Sequence, residues 1–133
     1  MKDRTVIVDY KAGNLTSVRL AFEALGEPAT VTSDAETIRR ADRVVFPGVG
    51  AAKSAMENLA ELGLADVVRE AAATKPFLGI CLGMQILFEH SEEDGGVDLL
   101  GILPGKVRRF PTFPDARFRR SGGTMCRLEV TSC

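Results

Sequence analysis

Short apolar runs alternate with stretches of helical periodicity along most of the chain. The apolar runs predict four strands, at Thr5 to Asp9, Pro28 to Val31, Arg43 to Phe46 and Pro76 to Ile80. The first of them is a short β-branched run, which is typical of a strand that is buried on both faces. Because the strands alternate with helices, the pattern predicts an open, mostly parallel α/β sheet with helices on both faces.

Several of the predicted helices carry start or stop signals. Asn14 is a plausible N-cap for a helix whose apolar residues recur at helical spacing, and Gly26 stands where a C-terminal cap belongs. Ser33-Asp34-Ala35-Glu36 has the form of a capping box that opens a short helix through Arg40. The later helices are predicted at Ala51 to Ala60, Ala65 to Ala73 and Leu82 to Phe88, with further strands after the Pro104-Gly105 turn and at Arg127 to Val130.

Length and composition narrow the class of protein. The chain has 133 residues, enough for one domain. Its net charge is −1, so the molecule as a whole has no electrostatic attraction for nucleic acid or for membranes. No apolar run approaches the ~20 residues that span a bilayer, and no secretory signal is visible, so we expect a cytoplasmic protein. The three cysteines and the single histidine, His90, do not form a zinc or disulfide pattern. We therefore expect no metal and no cofactor.

The character of the chain changes after about Phe110. From Lys106 onward there are seven basic and two acidic residues, with closely spaced prolines and glycines. We expect residues 1–110 to form the amino-terminal part of one domain and residues 111–133 to form a divergent basic tail, folded or disordered. The tail is explained either by a truncated or frame-shifted product or by a genuine short form with a binding role. An RNA-binding arm is disfavoured, because only Phe113 and Phe118 interleave with the basic residues.

The strongest chemical signal is Gly79-Ile80-Cys81-Leu82-Gly83, which lies between a predicted strand and a predicted helix. Gly-x-Cys-x-Gly in this place is the nucleophile-elbow pattern with cysteine instead of serine, and its glycines permit a sharp turn. The turn brings the Cys81 sulfur to the carboxyl end of the sheet, and the N–H groups at the start of the helix favour the thiolate. The alternative is a small cysteine buried under a helix. The full pattern favours Cys81 as a catalytic nucleophile.

The loop Pro47-Gly48-Val49-Gly50 follows the preceding strand of the same sheet and is expected beside the elbow. Its glycine-rich backbone can direct N–H groups at a developing oxyanion, and Leu82 N–H can supply another. The alternative is a phosphate-binding turn, but Lys53 is wrongly placed for a Walker loop or a dinucleotide fingerprint. We therefore expect Val49, Gly50 and Leu82 to form an oxyanion hole.

Two further polar residues follow Cys81. Gln85 lies one helical turn on and shares its face, so it is a candidate substrate ligand or simply a solvated glutamine. His90 lies nine residues after Cys81, expected at the end of the elbow helix and about 12 Å along it at ~1.5 Å per residue. At that separation His90 is too far for direct proton transfer, and we interpret it as a surface residue.

These residues together resemble the class I (triad-type) glutamine amidotransferases, whose nucleophile motif is similar to residues 79–85. The opening Asp9-Tyr10-Lys11-Ala12-Gly13-Asn14 resembles one branch, the glutaminase subunit of imidazole glycerol phosphate synthase in histidine biosynthesis. The 47–50 loop, Ser91-Glu92-Glu93 and residues 100–107 fit the same branch. The resemblance implies the flavodoxin-like fold of that family, here without its last strands.

The resemblance also implies an activity and a partner. Cys81 would attack the carboxamide of glutamine, with Gly50, Leu82 and Gln85 contacting the substrate. The ammonia would pass to a (β/α)₈ synthase (cyclase) subunit, in a heterodimer, that makes imidazole glycerol phosphate and an aminoimidazole carboxamide ribotide. The loop around Asn14 and the 47–50 loop would face this partner.

The chain departs from the family in one respect. The family's triad ends in a His-x-Glu pattern, and no such pattern is present, since Arg127 stands where that histidine would precede Glu129. We therefore expect weak activity from this chain. Two alternatives stay open, namely a non-catalytic remnant that binds the partner and a different cysteine hydrolase.

Overall fold

The structure, a computed structural model, describes residues 3–110 and the backbone of residues 126–129. The expectation of a divergent tail at 111–133 therefore falls mostly outside the described residues. Within them there are five α-helices and eight strands, and as far as α5 the strands alternate with helical segments as the sequence predicts.

The strands are β1 (Thr5–Val8), β2 (Ala29–Thr32), β3 (Arg43–Gly48), β4 (Phe77–Cys81), β5 (His90–Ser91), β6 (Val97–Asp98), β7 (Lys106–Arg109) and β8 (Cys126–Glu129). The helices are α1 (Leu15–Ala24), α2 (Ala35–Arg40), α3 (Ala52–Glu61), α4 (Ala65–Thr74) and α5 (Leu82–Gln85), with a short 3-10 helix at Glu93–Gly95.

The first four strands form a parallel sheet in the order β2-β1-β3-β4. The chain crosses from β1 outward to β2 and then back past β1 to β3. Right-handed crossovers in opposite directions place α1 on one face of the sheet and α2, α3 and α4 on the other. The predicted open parallel sheet with helices on both faces is confirmed.

The main hydrophobic core fills the face that α2, α3 and α4 cover. Alternate residues of the central strands point into it, and the largest of these, Phe46, is fully buried. The other core members from the sheet, from these helices and from the residue before α4 are Val6, Val8, Val44, Ile38, Ala52, Ala55, Leu59, Leu64, Val67, Val68 and Ala71. The core thereby fixes β3, which runs to Gly48, so Pro47 and Gly48 of the predicted 47–50 loop belong to the strand and only Val49 and Gly50 follow it.

The opposite face of the sheet is covered less completely. Helix α1 has no buried residue, and Leu20 on it is 50% exposed. On the same face, by strand alternation, Leu78 of β4 is 51% exposed. Strand β4 pairs only with β3 among the described residues, so it is an edge strand there.

A lysine anchors the chain immediately before β4. The Lys75 ammonium donates hydrogen bonds to the carbonyls of Ile38, Arg39 and Ala41, at 3.3, 2.7 and 2.8 Å. These carbonyls lie at the end of α2, where a cation also interacts favourably with the helix dipole. The contact ties the start of β4, the strand that ends at Cys81, to the helical layer.

A second, small sheet has the order β6-β5-β7-β8 and mixes parallel and antiparallel pairs. The strand predicted after Pro104-Gly105 is confirmed as β7. The strand predicted at Arg127 to Val130 is found at Cys126–Glu129, and Val130 lies outside the described residues. The two-residue strands β5 and β6 were not predicted, because so short a segment shows no periodicity.

Two predicted helix boundaries were wrong. The helix predicted at Leu82 to Phe88 ends at Gln85, so α5 is a single turn. The capping box predicted from Ser33 is replaced by a cap at Asp34, whose carboxylate accepts hydrogen bonds from the Thr37 N–H (2.9 Å) and hydroxyl (2.7 Å). The Asn14 cap is confirmed, since its side chain accepts from Ser17 N–H at 3.3 Å.

Across the described part of the chain, the helices are all too short or too polar to traverse a bilayer.

The Asp34 cap makes stability depend on pH. The Thr37 hydroxyl, and then the Thr37 N–H, hold the pKa of the Asp34 carboxyl below its ordinary range. The cap is therefore fully effective above the unfolded-state pKa and is lost as the pH falls through the lower folded-state pKa. We expect Asp34→Ala to melt below the parent at about pH 6 and the difference to shrink at about pH 2.

The matched variant is Asp34→Asn, which keeps a capping oxygen but cannot titrate. Its melting temperature relative to the alanine variant, followed by circular dichroism, should change little between the two pH values. An alanine deficit that is equally large at both pH values would contradict a contribution from the carboxylate charge.

Candidate active site

Cys81 is the last residue of β4 and immediately precedes α5. Its backbone has φ +53° and ψ −120°, a region that non-glycine residues rarely occupy. Such a conformation costs free energy and persists only where the surrounding structure enforces it. The side chain is exposed. A strained and exposed cysteine between a strand and a helix has the geometry of a nucleophile elbow.

The glycines on either side of Cys81 are required by close packing. A Cβ at Gly79 would lie 2.9 Å from the Cα of Met84, and a Cβ at Gly83 would lie 1.8 Å from the carbonyl oxygen of Phe46. The first turn of α5 is therefore in direct contact with the end of β3. The steric role that the sequence predicts for these glycines agrees with this packing.

The 47–50 loop lies beside the elbow. In the register of β3 and β4, Gly48 is the partner of Cys81, and strands so paired are about 4.8 Å apart. Val49 is 58% exposed and Gly50 has φ +101°, with open space around it. Within the described residues, neither the Val49 N–H nor the Gly50 N–H donates a hydrogen bond. These amides, with the N–H of Leu82 at the start of α5, are available to an oxyanion.

A third loop joins this edge of the sheet. Tyr10 follows β1, is fully buried, and stacks on Phe46 with ring centroids 4.6 Å apart. Gly13 lies so close to the 47–50 loop that a Cβ on it would be 3.5 Å from the Cα of Gly48. The segment that begins α1 therefore packs against the loop that follows β3, as expected for the carboxyl ends of adjacent parallel strands.

Gln85 lies one turn after Cys81, at the end of α5, and is half-buried. No other described residue hydrogen bonds to its side-chain amide, so the amide is available to a ligand. Gln85 therefore lies on the elbow turn as predicted, although this turn is shorter than expected.

His90 does not continue the elbow helix, and the prediction that placed it there was wrong. It lies on β5 in the second sheet, where its Nδ1 is 2.9 Å from Asp98 Oδ1. The imidazole is thus engaged with the second sheet, and no hydrogen bond joins it to the elbow.

Glu93 is a residue at this edge that the sequence analysis assigned no role. Its Oε2 accepts a hydrogen bond from the N–H of Ala52 at 3.3 Å, which places a carboxylate at the start of α3, two residues after Gly50. The Ser91-Glu92-Glu93 run signalled the position, but only the folded chain shows that the 3-10 helix at Glu93–Gly95 reaches the start of α3. Among residues 3–110, there is no cluster of three or more metal-binding side chains.

The chain matches the model of the family described as "Glutamine amidotransferase class-I" over residues 6–129. The chain therefore belongs to the class I glutamine amidotransferase family, and the predicted family is confirmed.

Curated relatives indicate the branch within the family. The chain is 55% identical over 105 residues to "Imidazole glycerol phosphate synthase subunit HisH" of Pseudomonas putida, covering 78% of this chain and 50% of that protein. It is 51% identical over 116 residues to the protein of the same name from Exiguobacterium sibiricum, covering 87% of this chain and 58% of that one. The chain thus spans about half the length of the curated relatives it matches. The predicted resemblance to this branch is confirmed.

Solved structures support the fold. "Crystal structure of glutamine amidotransferase" has a TM-score of 0.65 and 19% identity, covering 94% of this chain and 70% of its own. A putative peptidase E from Listeria monocytogenes has a TM-score of 0.55 and 18% identity, covering 75% of this chain and 63% of its own.

The contact between α5 and β3 predicts the effect of Gly83→Ala. Because the new methyl group would overlap the Phe46 carbonyl, we expect a loss of about 3 kcal/mol in unfolding free energy. The measurement is urea denaturation followed by circular dichroism. Gly63→Ala is the matched control, because Gly63 has φ +65° but open space, and should cost only about 1 kcal/mol. Equal losses in the two variants would show that the packing contact is unimportant.

Proposed function

We propose that this chain supplies the nucleophile of a glutaminase site and that Cys81 attacks glutamine. The observation that carries the proposal is the exposed Cys81 with φ +53°, paired in register with Gly48 at the end of the adjacent strand β3. A buried structural cysteine has no need of this strained backbone. Membership of the class I amidotransferase family supports the same chemistry.

The proposed reaction has two steps. The Cys81 thiolate adds to the carboxamide carbon, and the carboxamide oxygen becomes an oxyanion that accepts hydrogen bonds from the N–H groups of Val49, Gly50 and Leu82. The C–N bond then breaks, and the nitrogen takes up a proton and leaves as ammonia. Water hydrolyses the resulting thioester, which releases glutamate and restores the thiol.

Substrate contacts follow from the same arrangement. Gly50 and Leu82 offer backbone N–H groups on either side of Cys81, and Gln85 offers an unengaged amide one turn away. Hydrogen bonds from these groups would hold the reacting carboxamide against the sulfur. Such positioning is itself a large part of catalysis, because it replaces a bimolecular encounter.

The proposed partner is a (β/α)₈ synthase subunit, which would accept ammonia and make imidazole glycerol phosphate in histidine biosynthesis. The proposal rests on the names of the relatives, which describe subunits of imidazole glycerol phosphate synthase. The loop around Asn14 and the 47–50 loop pack together at one edge of the sheet, and we assign this edge to the partner. The resulting heterodimer would be a cytoplasmic enzyme with lyase activity.

The second candidate function is a non-catalytic module that binds the same partner. One observation favours it: His90, the single histidine of the sequence, is hydrogen-bonded to Asp98 in the second sheet and not to Cys81. General acid–base assistance is typically worth about 10²–10⁴-fold, so a site without it is slow.

The first prediction concerns Cys81 itself. A glutamine analogue that carries a chloromethyl ketone should alkylate Cys81 in preference to Cys126 and Cys133, because only the elbow binds its glutamine-like part. Mass spectrometry of peptides identifies the modified residue. Cys81→Ser should abolish the labelling, and Cys126→Ser with Cys133→Ser should leave it unchanged. Labelling of Cys126 or Cys133 with Cys81 untouched would overturn the proposal.

The second prediction concerns turnover. We expect the chain on its own to hydrolyse glutamine at least about a hundredfold more slowly than a relative that has the His-x-Glu pattern, because no group on the elbow protonates the leaving ammonia. A coupled glutamate assay measures this rate. Comparable turnover that Cys81→Ser abolishes would contradict it.

The same assay in the presence of the synthase subunit separates the two functions. Co-purification with that subunit and no glutamine hydrolysis in the complex would favour the non-catalytic module. Activity on esters with none on glutamine would instead indicate a different cysteine hydrolase.

A further inference from the structure

The most unusual buried group at this edge is the hydroxyl of Tyr10. The side chain is 0% exposed, yet its Oη has no hydrogen-bond partner in the part of the chain that the structure describes. Burial raises the pKa of the Tyr10 phenol far above its ordinary value, so the group is a neutral hydroxyl. Buried polar groups are nearly always hydrogen-bonded, and an exception calls for an explanation.

The hydroxyl is in contact with the backbone that precedes the oxyanion amides. A Cβ built on Gly48 would lie 2.1 Å from Tyr10 Oη and 3.0 Å from the N–H nitrogen of Gly83. The hydroxyl, Gly48 and the first turn of α5 therefore share one small volume. The Tyr10 ring is fixed in turn by its stacking on Phe46, two residues before Gly48.

A purely structural role is a poor explanation of this hydroxyl. Phenylalanine would keep the stacking on Phe46 and would remove a buried polar group that has no partner, so a sequence selected for stability alone favours phenylalanine. Features that reduce stability concentrate at functional sites, where they define geometry.

We propose that Tyr10 is a positioning residue. Its buried hydroxyl fixes the distance between the 47–50 loop and the first turn of α5, and thereby the direction of the Val49 and Gly50 amides relative to Cys81. This inference rests on the proposed function, because it assigns those amides to the oxyanion. Tyr10 acts through Gly48 and has no contact with the substrate.

The test compares two reagents on one cysteine. A glutamine analogue with a chloromethyl ketone places its carbonyl oxygen where the oxyanion forms, while iodoacetamide reports only the reactivity of the thiolate. In each case the sulfur displaces the halide: an S–C bond forms and the carbon–halogen bond breaks. The ratio of the two second-order rate constants at Cys81 therefore measures the alignment of the oxyanion amides.

We expect Tyr10→Phe to lower this ratio about tenfold, because a misplacement of about 1 Å in a reacting geometry can cost about a hundredfold. The thermal midpoint should stay equal or rise, because the unpartnered hydroxyl is gone. Val68→Ala, a truncation of a fully buried residue in α4, is the control for general loosening: its midpoint should fall and its ratio should stay unchanged. An unchanged ratio in Tyr10→Phe would overturn the inference.

A double-mutant cycle tests the contact independently of function. Gly48→Ala should lower the urea midpoint less in the Tyr10→Phe background than in the parent, because the hydroxyl is the closest atom to the new methyl group. Equal losses in both backgrounds would refute the contact. If the parent shows no preference for the glutamine analogue over iodoacetamide, the proposed function fails. The double-mutant cycle would still decide whether the Tyr10 hydroxyl fixes the position of the 47–50 loop.

Discussion

The close approach of the first turn of α5 to the end of β3 is the constraint on which the site depends. The Phe46 carbonyl oxygen occupies the space that a Cβ at Gly83 would need, so the elbow rests on backbone and not on adjustable side chains. Backbone contacts of this kind leave little freedom to relax, and they hold Cys81 in its left-handed conformation. The strain at the cysteine and the need for glycine at positions 79 and 83 are thus two aspects of one packing arrangement.

Strand β3 is the element that transmits this constraint. Phe46 packs into the main core, stacks on Tyr10, contacts the tilted ring of Phe77, and presents its carbonyl to α5. The same strand ends two residues later, at Gly48, and continues directly into Val49 and Gly50. The burial that stabilises the sheet therefore also determines where the exposed amides of that loop lie, so stability and site geometry share the same residues.

The elements with strong periodicity were predictable, and the edges of the site were not. Strands β1, β3 and β4 and the Asn14 cap were evident from β-branched runs and turn residues. The prediction of a helix from Leu82 to Phe88 was wrong. The apolar residues at 86–88 are buried in a turn, and a turn buries them to the same extent as a helix would. The N–H groups of Leu87 and Phe88 bond to carbonyls only three residues back, those of Met84 and Gln85, so the chain tightens into a turn. The carbonyls of residues 86–88 are then satisfied by the N–H groups of residues 100–102. These bonds, like the contacts of Glu93 and Tyr10, depend on residues distant in sequence.

The position of β4 at the margin of the sheet has a geometric consequence. Its outer row of N–H and C=O groups is unpaired among the described residues, and Leu78 on it is half exposed. Any additional strand that docked there in parallel would have its carboxyl end on the same side of the sheet as the Cys81 sulfur, since parallel neighbours share their orientation. The loop after such a strand would therefore lie on the side of the sheet that carries Cys81. The same open row of backbone groups is also a template for self-association, so a strand docked there would cover an aggregation-prone edge as well.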